Sequence, residues 1–299
     1  MKKMLMASIS AAAALAAAET LAEDAISYEA ADETVREAVE EVEDDGDHKW
    51  FSIHAYADIE SAYISRGYVW DSKPYSAQFV DGEINLGEFG SLDASVWTMS
   101  ALSDNGNSAA MRRYAYAEAD YVIAYTYTME LAEKWNLRNT FSRQWVTNPG
   151  YHDAHTLCDW QVKQVLENPY ITPYWRLRYI HKPRQSSYWM LGLKKKFDTS
   201  VEGLTFTVDF YADLGDGRHF RHLYGPHEGN PRGRYHSGLQ ALNLIFRLDY
   251  AITEHFGVFA YVGQFCLVSD DARDAIKASS AREAKRDLTV GGIGVSLDF

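Results

Sequence analysis

From Trp50 to its last residue, the chain alternates apolar and polar side chains with a period of two, segment after segment. The final segment shows it most plainly: Ile293, Val295, Leu297 and Phe299 fall on one face, and Gly292, Gly294, Ser296 and Asp298 on the other. Successive side chains of a strand point to opposite sides, so this period predicts β-strands with one apolar face. The first such strand sets Phe51, Ile53, Ala55, Ala57 and Ile59 against Ser52, His54, Tyr56, Asp58 and Glu60.

An apolar strand at a free C-terminus would be a hazardous edge in water. Paired with the first strand and facing lipid, it is satisfied. Its terminal aromatic resembles the closing strand of bacterial outer-membrane barrels, which implies that Ile293, Val295, Leu297 and Phe299 act as an assembly signal. Eleven strands follow directly from the alternation. Leu157–Leu166, where Cys158, Trp160 and Val162 alternate with Asp159, Gln161 and Lys163, supplies a twelfth and restores the even number that such barrels require. The connections at 87–90, 198–202 and 253–255 are short, as periplasmic turns are, while those at 103–112, 214–236 and 269–286 are long. The expected fold is all-β: a single transmembrane antiparallel β-barrel of twelve strands in up-and-down order over residues 50–299. Residues 256–268 are apolar on both faces, so the pattern leaves their orientation open.

Beyond the N-terminus no apolar run reaches the 18 residues of a helical span, and mean hydropathy is −0.34. The 20 Tyr and 8 Trp suit interfacial girdles, although a secreted β-rich domain also favours aromatics. Residues 1–22, with Lys2 and Lys3 ahead of an Ala-rich stretch, read as a secretory signal peptide. Residues 23–49 form an acidic N-terminal tail, or a short periplasmic helix carrying Val35, Ala38, Val39 and Val42 at helical spacing. Glu23–Lys49 holds twelve acids against two basic residues, so most of the net charge of −13 sits there. Cys158 and Cys266 fall on the sixth and eleventh strands, which are not neighbours, so no intramolecular disulfide is expected.

The polar faces carry the function. Charges facing lipid cost about 2–4 kcal/mol each at midplane, so they are expected in the lumen. The alternation points Asp58, Glu60, Asp81, Glu83, Glu118 and Asp120 inward from the first, second and fourth strands. Arg176, Arg178, Lys194 and Lys196 point inward from the seventh and eighth, and Asp209, Arg247 and Asp249 complete the lumen-lining set. An acidic wall across from a basic one creates a transverse field in an open pore. The alternative is that the walls meet as salt bridges and seal the barrel.

The stretch Ser61-Ala62-Tyr63-Ile64-Ser65-Arg66-Gly67, ahead of an Asp-Ser-Lys-Pro loop, resembles the start of small TorF-type porins, as does Glu118-x-Asp120-Tyr121. The resemblance covers about the first third of the chain and implies a channel-like protein of the bacterial outer membrane, with no catalytic residues. His219, His222, His227 and His236 share one long loop with Arg218, Arg221, Arg232 and Arg234, but lack the i,i+4 spacing of a helical metal site. They read as a solvated loop, whose arginines suit the phosphates of lipopolysaccharide. The chain is therefore expected to be a non-enzymatic porin-like channel for passive diffusion of small polar or charged solutes, or a closed structural or surface-interaction barrel. No cofactor or metal is expected. The expected partners are outer-membrane lipid, lipopolysaccharide, the barrel-assembly machinery and small solutes.

Overall fold

The computed structural model describes residues 50–102, 118–147, 157–182, 185–278 and 286–299. The signal peptide, the acidic tail and the predicted start of the fourth strand at Tyr114 lie outside the described residues.

Twelve antiparallel strands close a barrel in up-and-down order: β1 (Phe51–Glu60), β4 (Tyr75–Asn85), β5 (Ser91–Ala101), β6 (Glu118–Ala132), β7 (Trp135–Thr147), β8 (Leu157–Glu167), β9 (Thr172–Lys182), β10 (Ser186–Asp198), β11 (Leu204–Gly215), β12 (Gly238–Thr253), β13 (Phe256–Leu267) and β14 (Asp287–Asp298). Two short strands, β2 (Tyr63–Ser65) and β3 (Tyr68–Asp71), form a separate hairpin. β4 begins at Tyr75, and the motif Tyr63–Gly67 lies in this hairpin, apart from β1.

β14 closes the ring on β1. Ala57 faces Val295, Ala55 faces Leu297, and Ile53 exchanges two backbone hydrogen bonds of 2.9 Å with Phe299. Closure removes the free edges, and every wall strand is paired on both sides. The β13–β14 register is also fixed by shape. Inside the barrel the Tyr261 ring lies over Gly292 and the Phe259 ring over Gly294, closer than any Cβ there would permit. These rings orient β13, which the pattern left open: Phe259, Tyr261 and Phe265 are buried inward, and Val262 is exposed outward.

The outer surface is apolar. Val80, Val96, Ile123, Phe141, Leu191, Leu193, Phe246, Leu248, Val262 and Ile293 are all exposed there. Phe197, Phe206 and Phe246 stack across three neighbouring strands, and Trp135 packs beside Tyr170 near two short turns. β7 alternates weakly because its outward face carries Arg143, which is covered by the Trp160 ring at 4.3 Å.

The long connections hold the helices α1 (Gly217–Tyr224) and α2 (Asp270–Ala278). Asp216 caps α1, accepting from the His219 N–H at 2.7 Å, and Gly225 ends it at φ 61°. Instead of being a wholly solvated loop, this segment buries His219 and Phe220.

Candidate functional site

The lumen differs between its two ends. At the long-loop end it is filled by the β2–β3 hairpin, whose two-residue turn puts Arg66 and Gly67 at φ 54° and 69°, the mirror-image turn that Arg-Gly accommodates. Ala62, Tyr63, Ile64 and Val69 are buried, packing in one apolar cluster with Tyr75, Trp97, Met99, Tyr188, Met190, Phe265 and Leu267 from the wall. Each such side chain contributes about 1.5–3 kcal/mol by burial, which explains why aromatic residues occupy a connection rather than a strand.

The hairpin tip is held on both sides. The Tyr63 hydroxyl donates to Glu118 on β6 at 2.6 Å. Gln240 on β12 donates to the carbonyls of Gly67 at 2.7 Å and Arg66 at 3.3 Å, and His219 Nε2 lies 3.4 Å from the latter. β6 and β12 stand six places apart in a ring of twelve, so the tip crosses the lumen. Arg66 is buried, and burial alone would weaken its charge. The carboxylates of Asp159, Asp120 and Glu118, with Tyr63, more than offset this and hold its pKa above the ordinary value. His219 goes the other way: burial, reinforced by the nearby Arg66 charge, pushes it down to about 3 despite its contact with the Arg66 carbonyl, so it is a neutral imidazole.

The thirteen lumen residues expected from the alternation all fall on the inward face by register. Asp58, Glu60, Asp81, Glu118, Asp120, Arg178, Lys194, Asp209 and Arg247 are buried, while Glu83, Arg176, Lys196 and Asp249 keep partial exposure. β9 and β10 do stand across the ring from β1 and β4. The pairs, however, form largely along the wall. Arg178 meets Asp159 at 3.2 Å on the adjacent strand, and both belong to a chain of bonds in which Gln161 donates to Asp159 and Gln144, Arg178 donates to Gln144, and Gln144 donates to Asp120. Lys194 stands opposite Asp209 in register. Arg247 meets Asp249 at 2.7 Å, lies over the Phe259 ring at 3.9 Å and acts on Asp58.

The expected set left out Arg138, Asp159, Lys163 and Asp213, which the same period turns inward on wall strands, and it left out Arg66, which no period could give. Arg66 lies in a connection, where period two says nothing; the signal was its place between Tyr63, Ile64, Tyr68, Val69 and Trp70, too apolar a setting for a solvated loop. Ile293, Val295, Leu297 and Phe299 lie on the outward face at the β1–β14 junction. Phe299 also stacks on His255. Cys158 on β8 and Cys266 on β13 are free thiols on strands that do not touch. Arg218, Arg221, Arg232 and Arg234 are exposed around α1. His236 reaches Asp271 of α2 at 3.1 Å.

A closed twelve-strand wall, apolar outside and charged inside, satisfies its backbone without water and needs hydrocarbon around it. The protein is an outer-membrane β-barrel, and its place is the bacterial outer membrane. No protein-family model matches the chain, and no curated protein sequence matches it significantly. Among solved structures, an outer-membrane channel from Pseudomonas putida F1 is similar over 86% of this chain and 100% of its own, with a TM-score of 0.50 at 10% identity. The KdgM porin is similar over 83% and 99%, with a TM-score of 0.45 at 10% identity. The NanC porin is similar over 82% and 98%, with a TM-score of 0.46 at 12% identity. At such identity the first of these agrees with the fold, and the other two add no argument.

Proposed function

We propose that the protein is a porin-like channel for passive diffusion of small polar or charged solutes. One observation carries this reading: Glu83, Arg138, Lys163, Arg176, Lys196 and Asp249 face inward at partial exposure, so solvent reaches a charged wall from the short-turn end. A barrel serving only as a scaffold has no need to keep such costly groups in a wetted lumen. The reading assigns transport rather than catalysis, and the TorF-type resemblance at Tyr63–Gly67 and Glu118–Tyr121 agrees with it.

The closed structural barrel is the second reading, favoured by the buried pairing of Arg178 with Asp159 and by the hairpin across the lumen. Planar-bilayer conductance with the double variant Arg176→Ala, Arg178→Ala separates the two. An open pore conducts, and the variant shifts selectivity toward cations because lumen charges act within a Debye length of about 10 Å at 0.1 M salt. A silent wild type with a destabilised, leaky variant would sink the channel reading.

The outward residues Ile293, Val295, Leu297 and Phe299 are assigned to recognition by the barrel-assembly machinery, so deleting Phe299 should reduce membrane insertion far more than secretion. The exposed Arg218, Arg221, Arg232 and Arg234 suit lipopolysaccharide phosphates at the outer leaflet.

A further inference from the structure

Granting the channel reading, we propose that the hairpin Tyr63–Asp71 is its gate, with Arg66 as the latch, and that opening exposes a cation-preferring constriction. The hairpin pairs only with itself, as a two-stranded sheet apart from the barrel ladder. It can therefore move without breaking a strand pair of the wall. What holds the hairpin across the lumen is side-chain contact alone: the apolar packing of Ala62, Tyr63, Ile64 and Val69 on the wall, and at the polar groups Tyr63 to Glu118, Gln240 to the Arg66 and Gly67 carbonyls, and the Arg66 guanidinium among Glu118, Asp120 and Asp159. The fit is close, since a Cβ on Gly67 would stand 2.8 Å from Gln240 Cδ and 3.1 Å from Asp213 Cβ.

Arg66 is the cation that the hairpin brings to the β6–β8 wall. When the tip leaves, Glu118, Asp120 and Asp159 face the lumen with Arg178 as the nearby wall cation, so the vacated passage is acidic on balance. A buried guanidinium among carboxylates is stable only while those partners surround it. Its removal thus changes both the width of the passage and the sign of its field.

Single-channel recording tests this on three proteins. In the first, residues 62–72 are replaced by a short Gly-Ser link; the second carries Arg66→Gln. The third carries Gly67→Cys with Asp213→Cys in a Cys158→Ser, Cys266→Ser background, chosen for the 3.1 Å approach noted above. The expected result is a small wild-type conductance with occasional larger openings. Oxidation of the cysteine pair should abolish those openings and reductant restore them. The excised barrel should conduct several-fold more, with its reversal potential moved toward the cation equilibrium value, and Arg66→Gln should open more often. If excision prevents folding, Arg66→Gln and the cysteine pair decide alone. Folded variants with wild-type conductance and selectivity overturn the gate and leave the channel reading standing. Folded variants that are all silent overturn the channel reading and the gate with it.

Discussion

One strand, β8, carries an ion pair at each end of the lumen, and the two differ in everything except their chemistry. At the long-loop end Asp159 is fully buried and meets Arg178, itself buried, at 3.2 Å. At the short-turn end Glu167 keeps a third of its side chain in solvent and meets Arg138 at 3.0 Å. The first pair has exchanged water for protein on every side, under a hairpin lined with Tyr63, Ile64 and Val69. The second is still solvated. The difference teaches that a polar inward face does not by itself make a wet lumen; a connecting segment decides where water stops.

The largest expected effect follows from that contrast. Asp159→Ala strips a buried guanidinium of its carboxylate partner, leaving it only neutral contacts such as Gln144, and should cost roughly 3–5 kcal/mol. Glu167→Ala removes a solvated partner and should cost about 0–1 kcal/mol. Heat-modifiable migration in detergent checks both, and equal losses would mean that the two ends are alike. A smaller difference is expected between single hydrogen bonds. Tyr63→Phe removes the bond to Glu118 and should cost about 1.5–3 kcal/mol, whereas Thr126→Ala, losing a 3.1 Å contact with Thr140 where water can replace it, should change stability by no more than about 0.5 kcal/mol.

Smallest per unit step, though it accumulates over the interval, is a pH dependence confined to the long-loop end. His219 is neutral when docked, with a pKa near 3 against 6.5 when free. Between these values the undocked state binds the proton and the docked state does not. The docking of α1 is therefore strongest above pH 6.5 and weakens as pH falls toward 3, by at most about 1.4 kcal/mol per pH unit. Amide exchange of residues 217–224, corrected for intrinsic rates, should show protection falling with acidification, and His219→Phe should flatten the profile. A slope unchanged by that substitution would place the titration elsewhere.

Much of the molecule could be read in advance because its solvent imposes the pattern. A wall with lipid outside and polar groups inside must alternate, so Ile293, Val295 and Leu297 mark their strand as surely as Leu191 and Leu193 mark theirs. Parity then led to β8 through Cys158, Trp160 and Val162. The thirteen expected lumen residues followed from the same period, since a side chain of a wall strand has only two directions to choose from. Where both faces are apolar, as in β13, the period carries no sign, and Tyr261 over Gly292 supplies it only once β14 is alongside.

The sequence by itself determined most of the wall: the strand count, the face presented by each residue of the strands that alternate, and the end at which the turns are short. These are local consequences of a two-residue repeat in a two-phase surrounding. Tertiary structure alone decided what fills the wall. Whether Tyr63–Asp71 projects outward or folds in, and whether Arg66 finds Glu118, Asp120 and Asp159, depends on groups brought together from β6, β8, β12 and α1. No repeat within one segment encodes a contact among four, so the state of the lumen belongs to the closed barrel and not to any stretch of its sequence.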